Sequence, residues 1–159
     1  MITLTRRYRF SASHRLHSPA LSEEGNAALY GKCNHPFGHG HDYILEVTVE
    51  GPVDPRTGLI VPVSRVDELV EQQVLRLFAS RNINLDVPHF AELVPTTENM
   101  VRVIAGILLD RWQDAIGNEV ALRRVHIQET GRNSFEILIG RPADLGAEGI
   151  FANAESKTV

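Results

Sequence analysis

The sequence predicts an α+β domain whose long elements follow the order ββααββ. Three observations carry this. Apolar residues alternate at period two over residues 2–13, again from His41 to Val49, and once more after residue 119. Between the last two lie two segments with apolar residues at three- and four-residue spacing. Proline- and glycine-rich stretches separate the blocks.

The first strand is read over residues 2–13, where Ile2, Leu4, Tyr8, Phe10 and Ala12 alternate with polar neighbours, and it ends near His14. Residues 15–38 show no periodicity and are read as a long loop, a type of segment that tends to be functional. Alternation returns from His41 through Tyr43, Leu45, Val47 and Val49 and closes at "EGPVDPRTG". This second strand is expected antiparallel to the first. Val63, Val66, Val70, Val74, Leu77 and Phe78 form one apolar stripe on a helix from about Ser64 to about Ala79. After the connector "SRNINLDVPHFAELVP", Thr96 can cap a second helix that stops before Gly117. "VALRRVHIQET" and "SFEILIG" supply the last two strands. Residues 1–140 form the expected single domain, and 141–159 lack periodicity and are read as a tail. Four strands with helices on one face leave sheet edges open, so assembly into a homo-oligomer is expected.

Composition narrows the function classes. A net charge of -4, with no basic cluster beyond Arg6-Arg7 and Arg123-Arg124, argues against a nucleic-acid partner. No apolar run is long enough to span a membrane, and "MITLTRRYRF" lacks a secretory core, so a cytoplasmic protein is expected. The single cysteine, Cys33, has no internal disulfide partner and is either a packing residue or a reactive thiol.

The chemistry concentrates in "GKCNHPFGHGHDY", residues 31–43. Residues i and i+2 of a strand face the same way, so His39 and His41 present both imidazoles together across Gly40. If the first two strands are neighbours, His14 can join them. Three imidazoles with one open position are a donor set for catalytic zinc, whereas closed structural sites are richer in cysteine. Cys33 would close the site as a fourth ligand; five residues of separation from His39 also let it stand beyond the metal toward a substrate, the preferred arrangement. His17, His35, His89 and His126 are read as ordinary surface or core histidines.

"FSASH", "GKCNHPFGHGHDY", "NLDVPHFAELVPTTENM" and "HIQET", in this order and spacing from Arg9 to Gly140, resemble the 6-pyruvoyl-tetrahydropterin synthase family, which includes 6-carboxytetrahydropterin synthase. The resemblance implies the tunnelling fold, an antiparallel sheet joined into an oligomeric barrel, with trimers stacked as a hexamer. It implies a zinc-dependent lyase acting on 7,8-dihydroneopterin triphosphate. His14, His39 and His41 would bind zinc, Cys33 would be the general base, and Glu129 would accept hydrogen bonds from the pterin. Thr96, Thr97 and Glu98 would line the pterin pocket from another subunit. The chain departs from the pattern at the end of helix one, where Ala79 and Ser80 replace an Asp-His pair that normally helps move protons. Neither side chain titrates near neutral pH. The resemblance therefore also accommodates a pterin-binding homologue without turnover. The Cys33–His39 spacing is similar to the pyruvoyl-forming rather than the carboxy-forming members.

Overall fold

The computed structural model describes residues 1–140; the expected tail at 141–159 lies outside them. Strand β1 (Ile2–His14) pairs antiparallel with β2 (His39–Gly51), β2 with β4 (Ala121–Gln128), and β4 with β5 (Ser134–Leu138). A two-residue strand, β3 (Arg81–Asn82), lies parallel to the end of β1. The sheet thus has five strands in the order β3-β1-β2-β4-β5, one more than the alternation predicts. Two residues are too few to carry a period, so β3 leaves no sequence signal.

The region read as a loop contains α1 (Glu23–Tyr30) and a 3-10 turn over Gly31–Asn34. Helix α1 has no apolar stripe of the kind used to find the others. Its signals are local: Ser22 accepts a hydrogen bond from the Gly25 N–H, Glu23 and Glu24 sit in the first turn, and Gly31 ends it at φ 53°. The first long helical segment comprises α2 (Val63–Val70), a π-helical turn over Glu71–Leu75 and α3 (Arg76–Phe78). A four-residue helix α4 (Ile83–Asp86) follows β3, and α5 (Thr97–Ala115) is the long second helix. Thr96 caps α5 by accepting from the Asn99 N–H, and Gly117 (φ 101°) follows its C-terminal end.

One face of the sheet meets the helices. Tyr43, Leu45, Val47 and Val49 of β2 are fully buried, and Val66, Val70, Val74 and Phe78 from the α2–α3 segment pack in the same core as Met100, Ile104 and Leu108 of α5. Burying such a side chain contributes about 1.5–3 kcal/mol, so this layer dominates the stabilisation. Two polar clamps orient the helices on it. Arg6 donates two hydrogen bonds to Asp67 of α2 (2.8 and 2.7 Å), and the Tyr8 hydroxyl donates to the same carboxylate (2.8 Å). The Trp112 indole N–H donates to the Val120 carbonyl (2.7 Å), tying α5 to the residue just before β4. The opposite sheet face is polar, and Glu46 at its centre joins Arg7 (2.6 Å) and Arg124 (3.1 Å) across three strands. Among the described residues no helix is long and apolar enough to cross a membrane.

The hydrogen bonds from Arg6 hold the Asp67 carboxyl below its ordinary value of 3.8. A depressed carboxylate stabilises the fold fully above its unfolded value and loses that contribution as pH falls through the folded one. The melting temperature should therefore fall below about pH 4, and Asp67→Asn should be less stable at pH 7 with a shallower acid slope, as thermal melts across that range would show.

Candidate functional site

Register builds the site. In the β1–β2 ladder His14 lies opposite His39 and Ala12 opposite His41, so all three histidines share the helix-covered face with Phe10 and Tyr43. Their rings cluster edge to face, with centroids 4.9 Å (His14–His39), 5.1 Å (His14–His41) and 4.6 Å (His39–His41) apart. One ring nitrogen from each lies within 4.8 Å of the others, a group that can hold a metal ion.

The protonation pattern suits that use. His14 Nδ1 is 2.8 Å from the Pro95 carbonyl, which only accepts; Nδ1 therefore donates, and Nε2 presents its lone pair to the cluster. That Nε2 is buried and has no hydrogen-bond partner among the described residues. An unmet buried polar atom costs about 1–3 kcal/mol, a deficit that coordination to a cation would remove. Burial pushes the pKa of His14 down, as does the proximity of His39 and His41, against the opposing Pro95 hydrogen bond. His39 is lowered chiefly by burial and then by His41. Neutral imidazoles are the form that ligates metal. Three nitrogen donors fit zinc with one position left for another ligand.

The backbone before His39 makes the approach possible. Gly38 has φ 69°, and a Cβ there would lie 2.6 Å from the His14 carbonyl oxygen. Only glycine lets the chain enter β2 so close to the end of β1.

Glu129 stands beside the triad, its Oε1 3.9 Å from His14 Nε2 and 3.8 Å from His41 Nε2. It immediately follows β4, where its N–H donates to the Asn133 carbonyl (3.0 Å) at the base of the β4–β5 hairpin. The sequence reading extends the third strand through Thr130, whereas pairing stops at Gln128 and frees this side chain from the ladder. Thr97, the first residue of α5 and buried, donates from Oγ1 to Glu129 Oε1 at 2.7 Å. Thr97 and Glu129 therefore meet within one chain. Thr96 serves as the helix cap, and Glu98 is exposed in the first turn.

Cys33 sits partly exposed on the 3-10 turn with a free thiol. Its carbonyl accepts from the Leu16 N–H (2.9 Å), and neighbouring Asn34 donates to the Leu16 carbonyl (2.7 Å) and approaches His17 Nδ1 (3.2 Å). These bonds staple the cysteine turn to the residues after His14. Asn34 and the Pro95 carbonyl are contributors the sequence reading did not single out; a backbone acceptor has no side-chain signature. Burial first, then the charges of Glu129 and Cys33, raise the Tyr43 hydroxyl. It is the neutral, buried floor under the histidine rings.

Ala79 and Ser80 end the first helical segment. Ser80 adopts φ 59°, its N–H donates to the Ser11 carbonyl (2.7 Å), and it lines an open recess of ≈ 370 Å³ with Ser11, Ser13, Asp42 and Arg81.

Fold and site together define a class: α+β proteins with a mainly antiparallel sheet and, at the end of the first β-hairpin, three histidines that can hold a metal ion. The chain belongs to the 6-pyruvoyl tetrahydropterin synthase family, whose profile matches residues 3–138. It is 42% identical over 130 residues to the human 6-pyruvoyl tetrahydrobiopterin synthase, covering 82% of this chain and 86% of that one. It is 41% identical to the Poecilia reticulata protein of the same name, with 82% and 85% covered. The solved Caenorhabditis elegans 6-pyruvoyl tetrahydropterin synthase superposes with TM-score 0.78 at 34% identity, over 87% of this chain and 96% of the other.

Two substitutions test the geometry. His39→Ala should weaken zinc binding at least about tenfold, read by elemental analysis and chelator competition. Gly38→Ala should destabilise the protein by at least about 1 kcal/mol in denaturant melts, because the new side chain meets backbone and the left-handed conformation is strained.

Proposed function

We propose that this chain is a zinc-dependent lyase that converts 7,8-dihydroneopterin triphosphate to 6-pyruvoyl-tetrahydropterin with release of triphosphate. The observation that carries the reading is the convergence of His14, His39 and His41, with Glu129 against them and a free thiol on the adjoining turn. Family membership and the relatives named above support the reaction class.

In this reading His14, His39 and His41 hold zinc, which when bound supplies a Lewis acid that acidifies carbons beside the substrate's side-chain oxygens. Cys33, as thiolate, takes a proton from the side chain. Glu129 accepts hydrogen bonds from the amino and ring N–H groups of the pterin, with Thr97 fixing the carboxylate. Thr96 and Glu98 border the pterin at the start of α5. The work is done in a homo-oligomer, a hexamer built as a dimer of trimers. Open edges support this: among the described residues the outer side of β1 is bonded only near its end, around Ser11, Ala12 and Ser13, and the outer edge of β5 is unpaired. A cytoplasmic setting agrees with the lone unpaired thiol.

Ala79 and Ser80 favour one rival, a zinc-containing pterin-binding protein without turnover, since neither side chain titrates near neutral pH. Side-chain cleavage to 6-carboxytetrahydropterin is the alternative chemistry, distinguished by mass spectrometry of the product. Zinc-loaded protein mixed with 7,8-dihydroneopterin triphosphate should release triphosphate. Cys33→Ala should keep its zinc and lose at least about a hundredfold in turnover. Pterin binding without zinc-dependent release would establish the binding protein instead, and normal turnover by Cys33→Ala would remove the thiol from the mechanism.

A further inference from the structure

The position of Glu129 is ambiguous between two partners, and the distances decide what it does before any pterin arrives. Its Oε1 is 3.8 Å from His41 Nε2 and 3.9 Å from His14 Nε2. Two donor atoms that share a tetrahedral zinc, each at roughly 2.0–2.1 Å, are about 3.4 Å apart. The carboxylate oxygen is therefore within about half an ångström of that separation from two of the three histidines, His14 and His41. A glutamate side chain covers that distance by small torsional changes.

Charge points the same way. The Glu129 side chain is only 15% exposed. Among the described residues no lysine or arginine forms an ion pair with it; its ion-pair neighbours are the two histidines. A largely buried carboxylate without a cation is costly, and a divalent ion held by those histidines would be its counter-charge. Thr97 keeps one oxygen in place from the buried start of α5, which preserves the approach whichever partner the carboxylate serves.

We propose that Glu129 is an exchangeable fourth ligand: in the pterin-free protein its carboxylate occupies the coordination position the three histidines leave open, and it vacates that position when a pterin takes its hydrogen bonds. The inference rests on the pterin reading above and adds a coupling to it. One carboxylate cannot serve the metal and the pterin fully at once, so ring recognition uncovers the coordination position that the substrate side chain needs. Without pterin the site is closed to adventitious anions.

The test uses Co(II) as the metal, whose visible absorption reports coordination, and neopterin as the probe, because it has no triphosphate to eliminate. Pterin-free wild-type protein should bind Co(II) about tenfold or more tightly than Glu129→Gln, and the two should differ in visible spectrum. Thr97→Val, which keeps the carboxylate but frees it, should fall between. Neopterin should shift the wild-type spectrum, because its side-chain hydroxyls take the position that the carboxylate vacates. Equal affinity and identical pterin-free spectra for wild type and folded Glu129→Gln would overturn the proposal while leaving the pterin reading intact. A wild-type spectrum that depends on Glu129 yet ignores saturating neopterin would overturn the exchange. Absence of any neopterin binding, followed independently by its fluorescence, would instead sink the pterin reading on which the exchange rests.

Discussion

The site depends on the antiparallel register of β1 and β2. Thirteen paired positions run from Ile2 opposite Gly51 to His14 opposite His39. Because side chains alternate, a one-residue slip would turn His39 and His41 to the far side of the sheet while His14 stayed beneath the helices. The histidine cluster is therefore a by-product of a strand pairing whose stability comes from elsewhere, chiefly the buried run Tyr43, Leu45, Val47 and Val49. Hydrophobic burial, which has no directional preference of its own, is converted by the ladder into the position of three imidazoles.

Around that fixed centre, the remaining groups arrive from less regular structure. Glu129 emerges where β4 ceases to pair, Thr97 stands at the first turn of α5, and Cys33 lies on a 3-10 turn stapled to residue 16. Paired strands hold the three imidazoles, while a strand end, a helix start and a 3-10 turn hold the groups around them.

What the sequence made legible follows from where periodicity exists. The long strands, the two long helices, the cap at Thr96 and the His14–His39–His41 group all rest on repeats of two or of three to four residues, or on a cap with a fixed chemistry. Helix α1 and strand β3 escaped because eight residues without an apolar stripe and two residues of pairing carry almost no period. The Thr97–Glu129 hydrogen bond joins positions 32 residues apart, and the Pro95 carbonyl that sets the His14 tautomer is backbone; neither leaves a trace in the linear pattern. Ser80 is a further case. Its left-handed backbone serves the turn into β3, a constraint that belongs to the three-dimensional path.

The polar face of the sheet bears on the histidine cluster although it lies on the opposite side. Glu46 is gripped by Arg7 from one strand and Arg124 from another, and Arg124 continues to Glu136 on β5 at 2.6 Å. These charges work like the teeth of a key. Sliding β1 along β2 by two residues would preserve the inside-outside pattern of the core, and so would meet little objection from hydrophobic burial, but it would pull Arg7 off Glu46 and break the row. Alignment of the imidazoles is thus proofread electrostatically from the reverse surface, at a distance from the chemistry it protects.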